Sequence, residues 1–433
     1  MNRVNFAHRI APSLTLGAWT NAVVLTGLLR RLPSALHGFA PEIAGGLLKA
    51  FPVQYAPSAD VVAKELTRLD AFEKVYLYCE KRSIWPMPDL TPSGFSPITA
   101  FAGLDVPRLA TVVELADWML LPVDRLEYLA DVTSRYEEHG ETSINHYHYD
   151  LRAKKSGGTR LIEAPKQGLK AVQRRILKGI IDAIPCHPDS FGFVVGKSCV
   201  QAANRHTGED VVVSFDLKDF FPSIGAGRIF GLFRCLGYPH NVARYLTALC
   251  TTQTPPRVLA KLPTTDRQTY RAAHLPQGSP ASPALANQIS FNLDRRLSAL
   301  ARRLGANYSR YADDLTFSGE RGIEQSVTRG VLKVVQEEGF AINSGKSRVM
   351  KKTSRQTVTG IVVNRHLNIN RAYFDDLKAI IHACGKPKDR RLYDAQFRAS
   401  LLGKIGWVEA VNPRRGAKLR HLLFVAWEKQ QNR

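Results

Sequence analysis

The chain has 433 residues, 44% of them hydrophobic and 23% charged, which suits a globular protein of two or three domains with a large buried core. Its formal net charge of +22 excludes a near-neutral surface and implies a polyanionic partner, most often nucleic acid. Residues 1–140 hold 13 Lys/Arg against 15 Asp/Glu and the remainder 47 against 23, so the polyanion belongs to the last two-thirds.

In chain order, the first 85 residues read mostly helical. The apolar run "SLTLGAWTNAVVLTGLL" (13–29) contains Ser, Thr and Asn, is short for a bilayer span, and lacks a small-residue cleavage site. A buried or amphipathic helix is expected there, not a membrane anchor or signal peptide. "SADVVAKELTRLDAFEKVYLYCEK" opens on a Ser/Asp cap and repeats apolar residues at three and four, the pattern of a helix. Residues 86–97, with Pro86, Pro88, Pro92 and Pro97, can continue neither helix nor sheet and read as a linker. Two short helical patterns follow, and nothing before residue 140 looks chemical. The six cysteines lie far apart with no CxxC pair, against a zinc site or a disulfide framework and in keeping with a reducing cytosol.

After residue 144 the character changes. "HYHYDLRAKKSGGTRLIEAPK" reads as strand, Gly-Gly turn, strand, and "KAVQRRILKGIIDAI" as a basic amphipathic helix. "DVVVSFDLKDFF" opens as a buried strand. "PALANQISFNLDRRLSALARRLG" reads as one long helix stopped by Gly305, followed by a strand pair around Asp313. A helix, two strands near 346–352 and 356–363, and a basic helical tail complete the order. Hairpins intermingle with crossovers, which predicts an α+β fold.

The chemistry centres on "NYSRYADDLTFSG". Asp313 and Asp314 stand at the expected tip of a hairpin, and adjacent carboxylates become tolerable when cations neutralise them. Asp216 ends the apolar strand "VVVSF" just before Pro222 breaks it, a rigid place for a ligand. Alone, the pair also reads as a polar turn and Asp216 as a cap. Together in a basic chain they point to two Mg²⁺ ions (or Mn²⁺) serving phosphoryl transfer.

These residues resemble the reverse transcriptases, and within them the bacterial retron type. "FDLKDFFPSI" is similar to the family's first palm motif, "LPQGSPASPALAN" (275–287) to its nucleotide motif, "YADDLTFSG" to its YxDD motif and "GFAINSGKS" (339–347) to its lysine motif. Val358-Thr359-Gly360 matches the retron VTG triplet. "QAANRH" resembles the NAxxH motif, with Ala203 and His206 in place but Ala202 where Asn is expected.

The resemblance covers about residues 100–433 and implies a right-hand polymerase with fingers and N-terminal helices (98–205), palm with a fingers insertion (206–365) and basic helical thumb (366–433). The helical extension (1–85) has no counterpart in it and is followed by the linker (86–97). It implies that Asp216, Asp313 and Asp314 bind the ions, with the Leu217 carbonyl as an extra ligand. Phe221 matches the steric gate that excludes a ribose 2′-hydroxyl. Gln277 and Gly278 take the nucleotide, Arg160 clamps the triphosphate with Lys154 or Lys155 assisting, and Lys346 offers a proton to pyrophosphate. Ala203, His206, Val358, Thr359 and Gly360 are expected to bind RNA, although His206 reads equally as a buried histidine with satisfied hydrogen bonds.

The implied activity is RNA-directed DNA synthesis from dNTPs on a structured non-coding RNA that is both template and primer. The implied product is a branched, RNA-linked single-stranded DNA. An effector protein, a cytoplasmic setting, no membrane and a role in antiphage defence are implied as well. The alternatives are another defence-associated or group II intron-like reverse transcriptase, the latter expected to carry a maturase region beyond the thumb, and a non-catalytic RNA-binding scaffold.

Overall fold

The computed structural model describes residues 1–15, 19–52, 56–86, 94–132, 145–153 and 159–431. The chain separates into two compact units, Met1–Pro185 with Phe221–Ile289 and Cys186–Phe220 with Ser290–Arg433. Both mix helices with antiparallel strands, so the fold is α+β.

The first unit opens with five helices, Arg3–Leu14, Asn21–Arg31, Ala40–Ala50, Ala59–Leu66 and Asp70–Lys81. Asn2, Thr20 and Ser58 cap three of them, each side chain accepting the backbone N–H three residues on. Phe6, Ile10 and Leu14 form one apolar stripe, sealed from solvent together with Leu28, Ile43, Leu47, Phe72 and Val75. Full burial of each such side chain contributes about 1.5–3 kcal/mol, which gives this bundle a core of its own.

Two expectations need correction here. The run 13–29 is not one helix: Arg3–Leu14 ends inside it and Asn21–Arg31 begins afresh behind the Thr20 cap. Residues 58–81 make two helices, because Thr67 turns its hydroxyl back onto the Lys64 carbonyl at 2.7 Å and Leu69 is extended. Among the described residues no helix is long and apolar enough to cross a membrane.

The end of the proline-rich stretch is docked. Ser96 and Ile98 donate to the carbonyls of Gly237 and Cys235 at 2.9 and 3.0 Å. A Cβ on Gly237 would meet the Pro97 nitrogen at 2.5 Å, so only glycine allows this approach. Strands β1 (Tyr147–Ala153) and β2 (Thr159–Pro165) pair antiparallel. The basic helix Gln167–Gly179 follows, burying Leu169, Val172 and Ile176 and exposing Lys170, Arg174 and Lys178 on the opposite face.

In the second unit β3 (Val211–Asp216), β4 (Asn307–Tyr311), β5 (Asp314–Gly319) and β6 (Arg348–Lys351) form one antiparallel sheet in the order β4-β5-β3-β6. The central β3, paired on both edges, is largely apolar, with Val211, Val212, Val213 and Phe215 buried and Ser214 half-buried. The long helix expected over 283–305 is interrupted at Ser290, and Phe291–Arg303 is the part that belongs to this unit. Gly305 stops it with φ of 62°. The short pair β7 (Thr357–Val358) and β8 (Ile361–Val362) leads to three helices, Arg371–Cys384, Ala395–Val411 and Pro413–Gln431. These share a core of Phe374, Leu377, Ile381, Ile405, Val408 and Leu419.

Candidate active site

β3 carries Asp216 to its end, and the register sets Asp216 directly opposite Asp314 on β5. Directly opposed residues of an antiparallel pair point to the same face, so the two carboxylates stand side by side. β4 and β5 are joined by a two-residue loop, Ala312 and Asp313, with Ala312 at φ of 56°. A positive φ at the first loop position matches the right-handed twist of a tight hairpin, although alanine pays some strain for it. The Leu217 N–H donates to the Asp313 carbonyl at 2.9 Å, and Asn343 N–H to the Asp216 carbonyl at 2.7 Å. Three acids from two distant parts of the chain thereby share one corner of one sheet. Among the described hydrogen bonds none uses the Leu217 carbonyl.

Lys346 Nζ lies 3.0 Å from the Asp216 carboxylate, and Asn343 Nδ2 donates to Asp216 Oδ1 at 3.1 Å. The lysine expected to serve pyrophosphate thus rests on the Asp216 carboxylate. Asn343 was missed by the sequence reading, although it stands inside the quoted lysine motif. Asp314 remains solvent-exposed, yet desolvation first, and then the charges of Asp313 and Asp216, push its pKa up to about 6 against the partial relief of Lys346.

Among the described residues no three carboxylate, imidazole or thiol side chains close into a ready-made metal cage. The donor set still fits a hard divalent cation: carboxylate oxygens crowded by like charge, beside an uncommitted backbone carbonyl.

The sign of the pH effect follows from the direction of the Asp314 shift. Without metal, the folded state holds this proton more tightly than the unfolded chain, whose value is near 3.8. The group's contribution to stability is present below that value and lost as pH rises through about 6. Melting in EDTA should therefore show a Tm that falls across this window, and a flatter profile for Asp314→Asn. Added Mg²⁺ should raise Tm more at neutral pH than at pH 5. An Asp314→Asn profile parallel to the parent's contradicts the assignment.

The remaining nucleotide candidates belong to the first unit. Arg160 is exposed on β2 opposite Arg152, while Lys154 and Lys155 lie outside the described residues. Phe221 is half-buried, its carbonyl accepting the Ile224 N–H at 3.0 Å. Gln277 and Gly278 sit against β2: Glu163 N–H donates to the Gln277 carbonyl at 2.9 Å, and a Cβ on Gly278 would meet the Glu163 carbonyl oxygen at 2.8 Å. The close approach that glycine permits is to the protein's own strand.

A buried polar network that the sequence reading missed holds this loop. Ser279 Oγ donates to Gln173 Oε1 at 2.8 Å, and Gln173 Nε2 donates to the Tyr147 hydroxyl and the Leu249 carbonyl. The Glu163 carboxylate accepts Thr254 Oγ1 at 2.6 Å and faces His274 Nε2 at 2.9 Å. Each buried polar group is paired, as burial requires.

His206, Ala203 and Val358, expected at an RNA contact, are all buried. His206 is wholly buried, its Nδ1 2.8 Å from Ser318 Oγ on β5 and its Nε2 2.8 Å from Ser309 Oγ on β4. Burial, helped by Arg205, pulls its pKa down to about 3, so the ring is neutral and shares hydrogen bonds with two hydroxyls. Such a ring braces the hairpin behind the aspartates. Ala203 and Val358 lie in one apolar core. Thr359 and Gly360 form the turn between β7 and β8 with φ of 49° and 82°, and Thr359 Oγ1 donates to the Cys199 carbonyl at 3.3 Å. The two retron-like motifs thus meet in space, with the Thr359-Gly360 turn as the part left at the surface.

Comparison with known proteins agrees with this geometry. The family described as "Reverse transcriptase (RNA-dependent DNA polymerase)" matches residues 152–363. Similar relatives include the Retron Mx65 reverse transcriptase of Myxococcus xanthus, 40% identical over 64% of this chain and 64% of the relative. The Retron Mx162 reverse transcriptase of the same organism is 34% identical over 71% of this chain and 65% of its own length. The Retron Ec86 reverse transcriptase of Escherichia coli is 35% identical over 53% and 67%. The match thus spans slightly less than two-thirds of the two Myxococcus relatives.

Proposed function

The chain belongs to the bacterial retron reverse transcriptases, and from that premise we propose that it is an RNA-directed DNA polymerase copying part of a structured non-coding RNA into branched, RNA-linked single-stranded DNA. The observation that carries this reading is the register placing Asp216 opposite Asp314, with Leu217 bonded to Asp313. A non-catalytic scaffold has no need of three crowded, partly desolvated carboxylates.

In this reading Asp216, Asp313, Asp314 and the Leu217 carbonyl hold two Mg²⁺ ions, with Mn²⁺ as a substitute. When bound, the ions lower the pKa of the attacking hydroxyl and stabilise the leaving pyrophosphate oxygens. Asn343 and Lys346 keep the Asp216 carboxylate oriented, and Lys346 Nζ carries a proton for the leaving group. Gln277, Gly278, Arg160 and the Lys154/Lys155 pair take the dNTP, and the network under Ser279 keeps the loop in one conformation. The exposed Lys170, Arg174 and Lys178, the Thr359-Gly360 turn and the basic C-terminal helices follow RNA and DNA phosphates, with salt-sensitive affinity.

The division into fingers (98–205), palm (206–365) and thumb (366–433) belongs to the same proposal. So do priming from an RNA 2′-hydroxyl, cytoplasmic action, and antiphage defence with an effector protein docked on residues 1–85.

The test is primer extension on an RNA template with Mg²⁺, alongside nucleic acid copurified from the host. Short DNA released by RNase and then by a 2′–5′ debranching enzyme is the expected product. Polymerase activity without branched DNA favours another defence-associated reverse transcriptase, and no incorporation at all ends the proposal.

One substitution probes sugar selection. Phe221→Ala should raise relative ribonucleotide incorporation by about 10²-fold, since a ring packed against the sugar discriminates by exclusion. Competition between dCTP and CTP measures it, and an unchanged ratio removes Phe221 from that role.

A further inference from the structure

We propose that Arg310, clamped by Asp294, is a positioning residue that locks the catalytic turn from inside the protein; this rests on the polymerase reading above. Arg310 is on β4, two residues before the turn, and its side chain has no solvent exposure. Its guanidinium grips Asp294 of helix Phe291–Arg303 with both prongs, Nε to Oδ1 at 2.8 Å and Nη2 to Oδ2 at 2.6 Å. Tyr308, on the same face of β4, donates its hydroxyl to Asp294 Oδ1 at 2.8 Å. Nη1 then donates to the Ala312 carbonyl at 3.0 Å, and Nη2 to Ser190 Oγ at 3.0 Å.

The Ala312 carbonyl belongs to the peptide linking Ala312 to Asp313, so holding it fixes the plane from which the Asp313 side chain departs. That peptide follows a non-glycine residue at φ of 56°, a conformation that persists only where surrounding structure enforces it. The segment 189–191 closes the other side: Arg310 N–H donates to the Asp189 carbonyl at 2.9 Å and Phe191 N–H to the Arg310 carbonyl at 2.8 Å.

Stability alone does not account for the pair. A buried ion pair is seldom better for the fold than apolar residues of similar volume, because both charges must be desolvated. An apolar pair, however, cannot hold the Ala312 carbonyl. Lysine cannot replace the guanidinium either, since one ammonium lacks the fork that engages Asp294, Ser190 and Ala312 together.

Two variants separate positioning from plain structure. Arg310→Met/Asp294→Leu removes both charges and the bond to Ala312; Arg310→Lys keeps a charge against Asp294 and so remains folded. We expect both to retain the parent's circular dichroism, to lose about 10²-fold in kcat with KM for dNTP changed less than about threefold, and to bind Mn²⁺ about tenfold more weakly by electron paramagnetic resonance. A folded double variant with parental kcat and Mn²⁺ affinity overturns the proposal. The Mn²⁺ titration needs no turnover. A parent that binds Mn²⁺ without synthesising DNA therefore counts against the polymerase reading alone, and parental Mn²⁺ affinity in both variants counts against Arg310.

Discussion

Asp216→Asn, Asp313→Asn and Asp314→Asn should each lower single-turnover nucleotide incorporation by about 10³-fold or more, equivalent to about 4 kcal/mol of transition-state stabilisation. Their effects on the fold should differ, and that difference makes the prediction specific. Asp314 is held in a site where burial and two neighbouring carboxylates disfavour its charge, so the neutral amide relieves repulsion and raises Tm at neutral pH. Asp216 is the partner of Lys346 and Asn343, and its amide strands the Lys346 ammonium, which lowers Tm or leaves it unchanged. Asp313 contributes its backbone carbonyl to Leu217, a bond that survives the substitution, and its amide removes the larger of the two charges pressing on Asp314, so Tm rises at neutral pH, by less than for Asp314→Asn. Quench-flow incorporation and calorimetry on the three proteins read both quantities. Activity within tenfold of the parent in any of them removes that residue from the metal site.

The carboxylates were legible in the sequence because each is tied to a local signal. A run of valines ending in aspartate must be a buried strand that stops, and Tyr-Ala-Asp-Asp between two β-rich stretches must turn. Pairing β3 with β5 is non-local, yet two acids at two strand ends predict which ends meet. What supports them was not legible. His206 reads equally as an RNA contact or a buried histidine when only its motif is visible; its partners Ser309 and Ser318 are more than a hundred residues away in the chain. Glu163 and His274 lie 111 positions apart, and neither carries a local pattern that announces a partner. Helix breaks at Thr67 and Ser290 were missed for the opposite reason: the apolar period continues through both, and at Thr67 the hydroxyl's bond back to the Lys64 carbonyl overrides it, while the Ser290 side chain makes no cap bond.

Gly192 belongs to the illegible part, and Gly192→Ala is expected to cost about 10²-fold in kcat. A Cβ there would lie 2.4 Å from the Ala312 nitrogen, 3.1 Å from the Tyr311 carbonyl carbon and 3.2 Å from the Ala312 Cα. All three are backbone atoms of the β4–β5 turn, so no side chain can swing away and the turn itself must shift. Arg310 holds the Ala312 carbonyl and Leu217 the Asp313 carbonyl, so a shift of the turn strains both bonds and moves the backbone from which Asp313 departs. Gly403 is the control, since a Cβ added to it meets nothing within 4 Å on an exposed helix position. Gly403→Ala should therefore stabilise by about 0.5–1 kcal/mol with kcat unchanged. KM for dNTP should move little in either variant, because the displaced atoms belong to the sheet corner and the nucleotide loop is seated on β2 by its own network. A Gly192→Ala protein with parental kcat, folded and monodisperse, means that the turn tolerates movement, and the case for a rigid carboxylate corner fails with it.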